Sequence, residues 1–494
     1  MKWVASWLAL GVAVPGWALP SAGDPAPTAT GWEPGNPLSL VVLQEDASEV
    51  LILRAERVIV APGRELEGAS VLVRGGVIEA VGKDLVAPEG ATEIRGAVVC
   101  AGFVDAWSAL GIDGEALVES GTSAATRSAD ALDVFGSDHL RAEALRAGVV
   151  AARFQGGQPA AVGGIGAVAR LDPSLDAEAA LLQPDACVGM AVGLTVAGSG
   201  QYIRQPDGSF TVDSGGRAAD PFDRLSQIER VASNIEAGRA YLESQVEYRH
   251  ELEEWEKAIA EKQAELEKDF KKAKKDREKE VEQAREKGKE HKEKSYKEDK
   301  KPKLPKHDED KAALARAANG ELPLVVEVHR ASEIRNLLAA TAGFDRLRLV
   351  IAGGSEALHS AAALAERDIP VIVWPSLRGK GGADEFEGSG PSLAAELSAA
   401  GVQVLLGSGG RDASATRDLP LLTALAVGHG LEREKAFEAL TIGAARAFDL
   451  DRRLGTVEVG KEAELLVLDG PPLVTTTRVQ YVISGGRTVV TPED

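Results

Sequence analysis

Four short stretches, LPLVVEVH (322–329), LRLVIAGG (347–354), IPVIVWP (369–375) and VQVLLGSGG (402–410), are continuously apolar rather than alternating. A strand exposed on one face alternates apolar with polar, so continuous runs belong to parallel strands buried on both faces. Helical stretches such as SEALHSAAALAERD separate one run from the next, which is the texture of βα units. The same alternation of helical segments (HLRAEALRAG) with short strands (GVVAARF, GAVARL) occupies residues 101–235.

The two ends differ from this middle. Residues 50–100 are short apolar stretches joined by glycine turns (VLILRAERVIVAPG, ASVLVRGGVIEAVG, ATEIRGAVVCAG), and the chain closes with LGTVEVGKEAELLVLDG and VQYVISGGRTVV, β-rich again. A βα core bracketed by β-rich ends predicts that residues 50–97 and 456–494 build one small β-domain together.

One segment interrupts the core. Between Arg249 and Lys311 stand 21 basic and 20 acidic residues, and no Gly or Pro appears from Glu251 until Gly288. Trp255, Ile259, Leu266 and Phe270 recur at helical spacing, so residues 245–300 are expected to form a long solvated helix or helical hairpin with a narrow contact stripe. Pro302 and Pro305 then mark an extended linker. The insert as a whole is placed at 240–315, dividing the core into 98–239 and 316–455.

Net charge is −20, and the nearly balanced insert contributes none of it. Nucleic acid and anionic membrane surfaces reward excess Lys and Arg, so neither is expected as a partner. The two cysteines, Cys100 and Cys187, lie in apolar stretches and read as buried thiols. The opening MKWVASWLALGVAVPGWALP has one Lys, an apolar run, Pro15 and a small-residue exit at Gly16–Ala18. That layout predicts a signal peptide over 1–18, a leader over 19–49, and export to the periplasm or medium. No later segment reaches roughly 18 uninterrupted apolar residues, so no further span is expected.

The stretch AGFVDAWSALG, residues 101–111, resembles the strand-one motif of the amidohydrolase superfamily, P-G-F-I-D-x-H-x-H. IPVIVWP, LTIGAARAFDLDRRLGTVEVGKEAELLVLDGPPL and VQYVISGGRTVV look like the closing segment of its imidazolonepropionase-like members. The resemblance implies an α/β fold: a (β/α)8 barrel with a composite β-sandwich from both chain ends, carrying the charged helical insert. It also implies a site for zinc or another divalent metal at the C-terminal end of the barrel, where metal-bound water attacks a C–N bond.

The ligand set that the resemblance implies is almost absent. Trp107 and Ala109 stand at the two strand-one His positions, Gly189 near the strand-four Lys, Gly353 at the strand-six His, and Gly409 at the strand-eight Asp. No Lys occurs between Lys83 and Lys257, so no shift of alignment restores one. Asp105 keeps its place, His329 keeps the strand-five position, and Asp412 lies three residues past Gly409. The glycine-rich run from Phe154 to Leu171 lacks the Lys-Ser/Thr ending of a phosphate loop. Three readings follow. The first is an exported binding or partner subunit that has lost catalysis, with no metal and a shallow, mostly apolar pocket around Asp105, Trp107, Ala109, Gly189, Gly353 and Gly409. The second is a hydrolase of cyclic-amide C–N bonds. The third is a metal-independent hydrolase using His329 and Asp412. The 245–300 arm is the surface offered to a protein partner or a homologous subunit.

Overall fold

Strand Leu51–Ala61 pairs antiparallel with Arg64–Arg74 and parallel with Thr92–Ala101, and so begins a sheet that takes strands from both halves of the sequence. The computed structural model describes residues 50–111, 124–134, 137–155, 162–192, 201–204, 210–213, 221–287, 300–375, 390–410 and 412–492. The expected signal peptide and leader, 1–49, lie outside the described residues.

Seven strands make this first sheet, in the order Arg487–Val490, Val479–Ser484, Leu465–Leu468, Thr92–Ala101, Leu51–Ala61, Arg64–Arg74, Val77–Lys83. The late strand Leu465–Leu468 lies antiparallel against Thr92–Ala101, so early and late segments share one ladder. It is a single sheet that curls, with Ile78 N–H donating to Lys461 C=O and Ala463 N–H to Gly76 C=O. The curl encloses its own core, including Leu51, Leu53, Val58, Val71, Ile94, Val467 and Ile483. Strand Thr92–Ala101 reaches four residues past the expected boundary and passes into the barrel through Gly102 alone. A Cβ there would stand 2.4 Å from Val150 Cγ1, so the Val150 side chain fills the space that any other residue would need.

The second sheet has eight strands in sequence order, numbered here one to eight: Phe103–Ser108, Val149–Phe154, Ile165–Arg170, Leu181–Ala191, Leu324–Val328, Leu349–Gly353, Val371–Val373 and Val404–Leu406. Strands four to eight are mutually parallel, and strand two is parallel to strand one. Strand three departs from the (β/α)8 pattern, running antiparallel to both neighbours. The cause is connection length: only residues 155–164 link strands two and three, which suits a hairpin and is too short for a helical crossover. Strands one and eight carry the sheet to near closure. Gly409 and Gly410 N–H both donate to Trp107 C=O, at 2.9 and 3.1 Å.

The charged insert begins earlier than the sequence suggests. One helix runs Pro221–Lys287, 67 residues, about 100 Å at 1.5 Å per residue. Its first turns bury Ile228, Val231 and Ile235 in the barrel's hydrophobic core, so this part of the helix belongs to the barrel. Gly238 lets the helix touch the backbone of the helix Glu309–Ala318, where a Cβ would meet Leu314 C at 2.4 Å. The returning chain follows the long helix: Lys301 Nζ sits 5.8 Å from the Trp255 ring, and His307 Nδ1 is 3.4 Å from Tyr241 Oη. Among the described residues no helix is long and apolar enough to cross a membrane.

Candidate functional site

Asp105, in the first barrel strand, is wholly buried. Its Oδ1 accepts the Trp107 N–H at 2.9 Å and the Ser408 N–H at 3.0 Å, joining the ends of strands one and eight. Around it Ser108 Oγ and Thr416 Oγ1 are 2.6 Å apart, and Ser408 Oγ donates to Trp107 C=O at 3.2 Å. Burial raises the Asp105 carboxyl above its ordinary value; bonds from Ser408, Trp107 and Thr416 act against that rise.

The positions left small in the sequence are closed by neighbours. A Cβ on Gly353, whose φ is +86°, would lie 2.3 Å from His329 Cε1. One on Gly189 would lie 1.5 Å from Gln155 Nε2, one on Gly409 2.8 Å from Trp374 Cδ2, and one on Gly410 2.1 Å from Trp107 Nε1. Ala109 follows strand one and is half-buried. Trp107, Gln155, Trp374 and His329 therefore occupy the volume that larger side chains at these glycines would need.

His329 is buried, with Nδ1 2.8 Å from Ser355 Oγ and Nε2 3.5 Å from Glu327 Oε1. Asp412 has a different task. It is exposed, and its Oδ1 accepts from Ser414 N–H at 3.0 Å and Ser414 Oγ at 2.7 Å, capping the turn Ala413–Asp418.

Among the described residues, the barrel mouth holds a cavity of about 40 Å³. It is not the apolar pocket expected from the sequence, because Ser108, Arg153, Gln155 and Glu327 line it beside Trp107 and Met190. Arg153 on strand two and Glu327 on strand five are the functional candidates that sequence reasoning missed. The signal was there: each is the one charged residue in a strand buried along its whole length.

Residues 273–489 match the amidohydrolase family model. The C-terminal half of the chain is thus similar to the amidohydrolase family. An amidohydrolase from Thermotoga maritima MSB8 superposes with a TM-score of 0.65 at 22% identity, over 89% of this chain and all of that one. An ochratoxinase from A. niger (TM-score 0.48, 17% identity, 90% of this chain, 97% of that one) and a zinc-bound adenosine deaminase from Xanthomonas campestris (0.44, 17%, 90% and 93%) are more distant. No curated protein matches the chain.

Amidohydrolases usually hold a divalent metal, and the residues of this barrel mouth do not fit one. Among the described residues no group of three or more His, Cys, Asp or Glu is placed to hold an ion. Of the positions that the resemblance gives to ligands, the strand-five one keeps a lone-pair donor in His329, and the others carry an indole, a methyl group or hydrogen, which offer none.

Proposed function

We propose that this amidohydrolase-fold chain is an exported, non-catalytic binding or partner subunit that needs no divalent metal. The observation that carries the reading is the packing at Gly189, Gly353 and Gly409, where Gln155, His329 and Trp374 fill the space of the absent ligands. Without a metal, water in the mouth keeps its ordinary pKa and is a poor nucleophile. Export rests on the opening residues, and the partner surface is the 245–300 arm, whose balanced charge suits a solvated docking element. The test is hydrolysis of a panel of cyclic amides by the full chain and by the His329→Ala protein. Rates equal to buffer are expected for both, whereas turnover lost on His329→Ala would contradict the reading.

One observation favours a second reading, a metal-independent hydrolase. Ser355 Oγ lies 2.8 Å from His329 Nδ1, and His329 Nε2 lies 3.5 Å from Glu327 Oε1, a hydroxyl–imidazole–carboxylate series. Against it, Ser355 is 3% exposed and does not border the mouth cavity. Hydrolysis abolished by Ser355→Ala would decide for this reading.

A further inference from the structure

Arg153 is a fully buried arginine on the second barrel strand, and its surroundings leave most of it unused. It is 2% exposed. Its Nε donates to Cys187 Sγ at 3.3 Å, one Nη donates to Gln155 Oε1, and the guanidinium carbon lies 5.7 Å from the Phe448 ring centroid. A guanidinium has five N–H groups, so three are left over, and among the described residues Arg153 makes no ion pair. A buried cation that makes no ion pair is costly, and the fold accepts that cost here beside a cavity that Arg153 itself lines.

We infer that this cavity is a binding site for the carboxylate head of a small molecule, held by Arg153. The inference rests on the reading of the mouth as a binding site, and it names the ligand's chemistry. The cavity of about 40 Å³ suits a small head group, and the geometry of the guanidinium selects a carboxylate. The planar fork of the guanidinium matches two carboxylate oxygens, and the Gln155 amide and Trp107 indole add donors to the same walls. Glu327, on another wall, repels a bare anion and favours a ligand that also brings a cationic or donor group, as an amino acid does.

The experiment titrates the full chain with sodium acetate at constant ionic strength, using sodium chloride as the balancing salt, and reads the unfolding temperature. A ligand that binds only the native state raises that temperature in a saturating way. Acetate is expected to do so, and neutral acetamide and chloride are not. Arg153→Met is expected to abolish the shift and Arg153→Lys to weaken binding about tenfold, since the fork is lost and the charge kept. Glu327→Gln, which leaves Arg153 in place should Arg153→Met fail to fold, is expected to bind acetate more tightly. Coincident acetate and chloride curves, an acetate shift that survives Arg153→Met, or acetate binding weakened by Glu327→Gln would overturn the inference. Cyclic-amide hydrolysis on the same samples keeps the two questions apart: activity without acetate binding refutes both readings, and inertness without acetate binding refutes the carboxylate site alone.

Discussion

Asp105 and Ser408, 303 residues apart, are joined by a 3.0 Å bond from the Ser408 N–H to Asp105 Oδ1, which ties the first barrel strand to the loop after the last. Asp105 thus closes the barrel, a task that needs no metal.

Asp105→Ala should destabilise the fold strongly, because the N–H groups of Trp107 and Ser408 lose their acceptor where water cannot replace it. An orphaned buried donor costs about 1–3 kcal/mol, so about 2–5 kcal/mol is expected in urea unfolding. The pH dependence has a definite sign. Burial holds the folded carboxyl above its ordinary 3.8, so the native state binds the proton more tightly and stability falls as pH rises from there through the folded value. Asp105→Asn, which cannot ionise, should remove that slope, gaining on the wild type as pH increases.

The barrel and the curled sheet are held together by ions. Arg170 Nε donates to Glu464 Oε1 at 2.7 Å and also bonds Glu462, while Arg453 reaches Glu462 at 2.5 Å. Glu464 is 2% exposed, and burial raises its carboxyl despite Arg170. Arg170→Met strands this carboxylate and should cost about 3–5 kcal/mol, most of which the double variant with Glu464→Leu should recover. A double variant no better than Arg170→Met alone would show that the loss lies elsewhere.

The long helix should divide into two parts under deletion. Removing residues 256–300 and bridging Trp255 to Lys301, which already touch, is expected to leave the unfolding temperature unchanged. Ile235→Ala, in the buried first part, should cost about 2–5 kcal/mol.

Much of this could be read from the residues, and the exceptions have physical causes. The four continuous runs 322–329, 347–354, 369–375 and 402–410 became parallel barrel strands because nothing competed with their burial on both faces. Strand three eluded the pattern, since direction is set by the ten-residue connection rather than by hydrophobicity. The start of the long helix eluded it too, because Ile228, Val231 and Ile235 are apolar residues of a helix that becomes charged only later, and composition marks the charge. At the site, glycines were legible as missing ligands, but which neighbours filled the space depended on contacts between distant strands. Arg153 and Glu327 were visible as charges and invisible as a pair of walls.

Gly353→His restores the superfamily's strand-six ligand in sequence and should fail in space. The backbone there has φ +86° and the new side chain would start 2.3 Å from the His329 ring, so the variant is expected to lose stability without gaining zinc. Calorimetry with and without zinc reads both effects.

We propose that packed aromatic and amide side chains around a buried arginine fill this barrel mouth in place of a metal centre. The most direct test is the metal content of the full chain, purified after refolding with excess zinc, manganese and iron, measured by inductively coupled plasma mass spectrometry alongside Gly353→His. Far less than one metal per chain is expected in both proteins; a stoichiometric metal that His329→Ala releases would overturn the proposal.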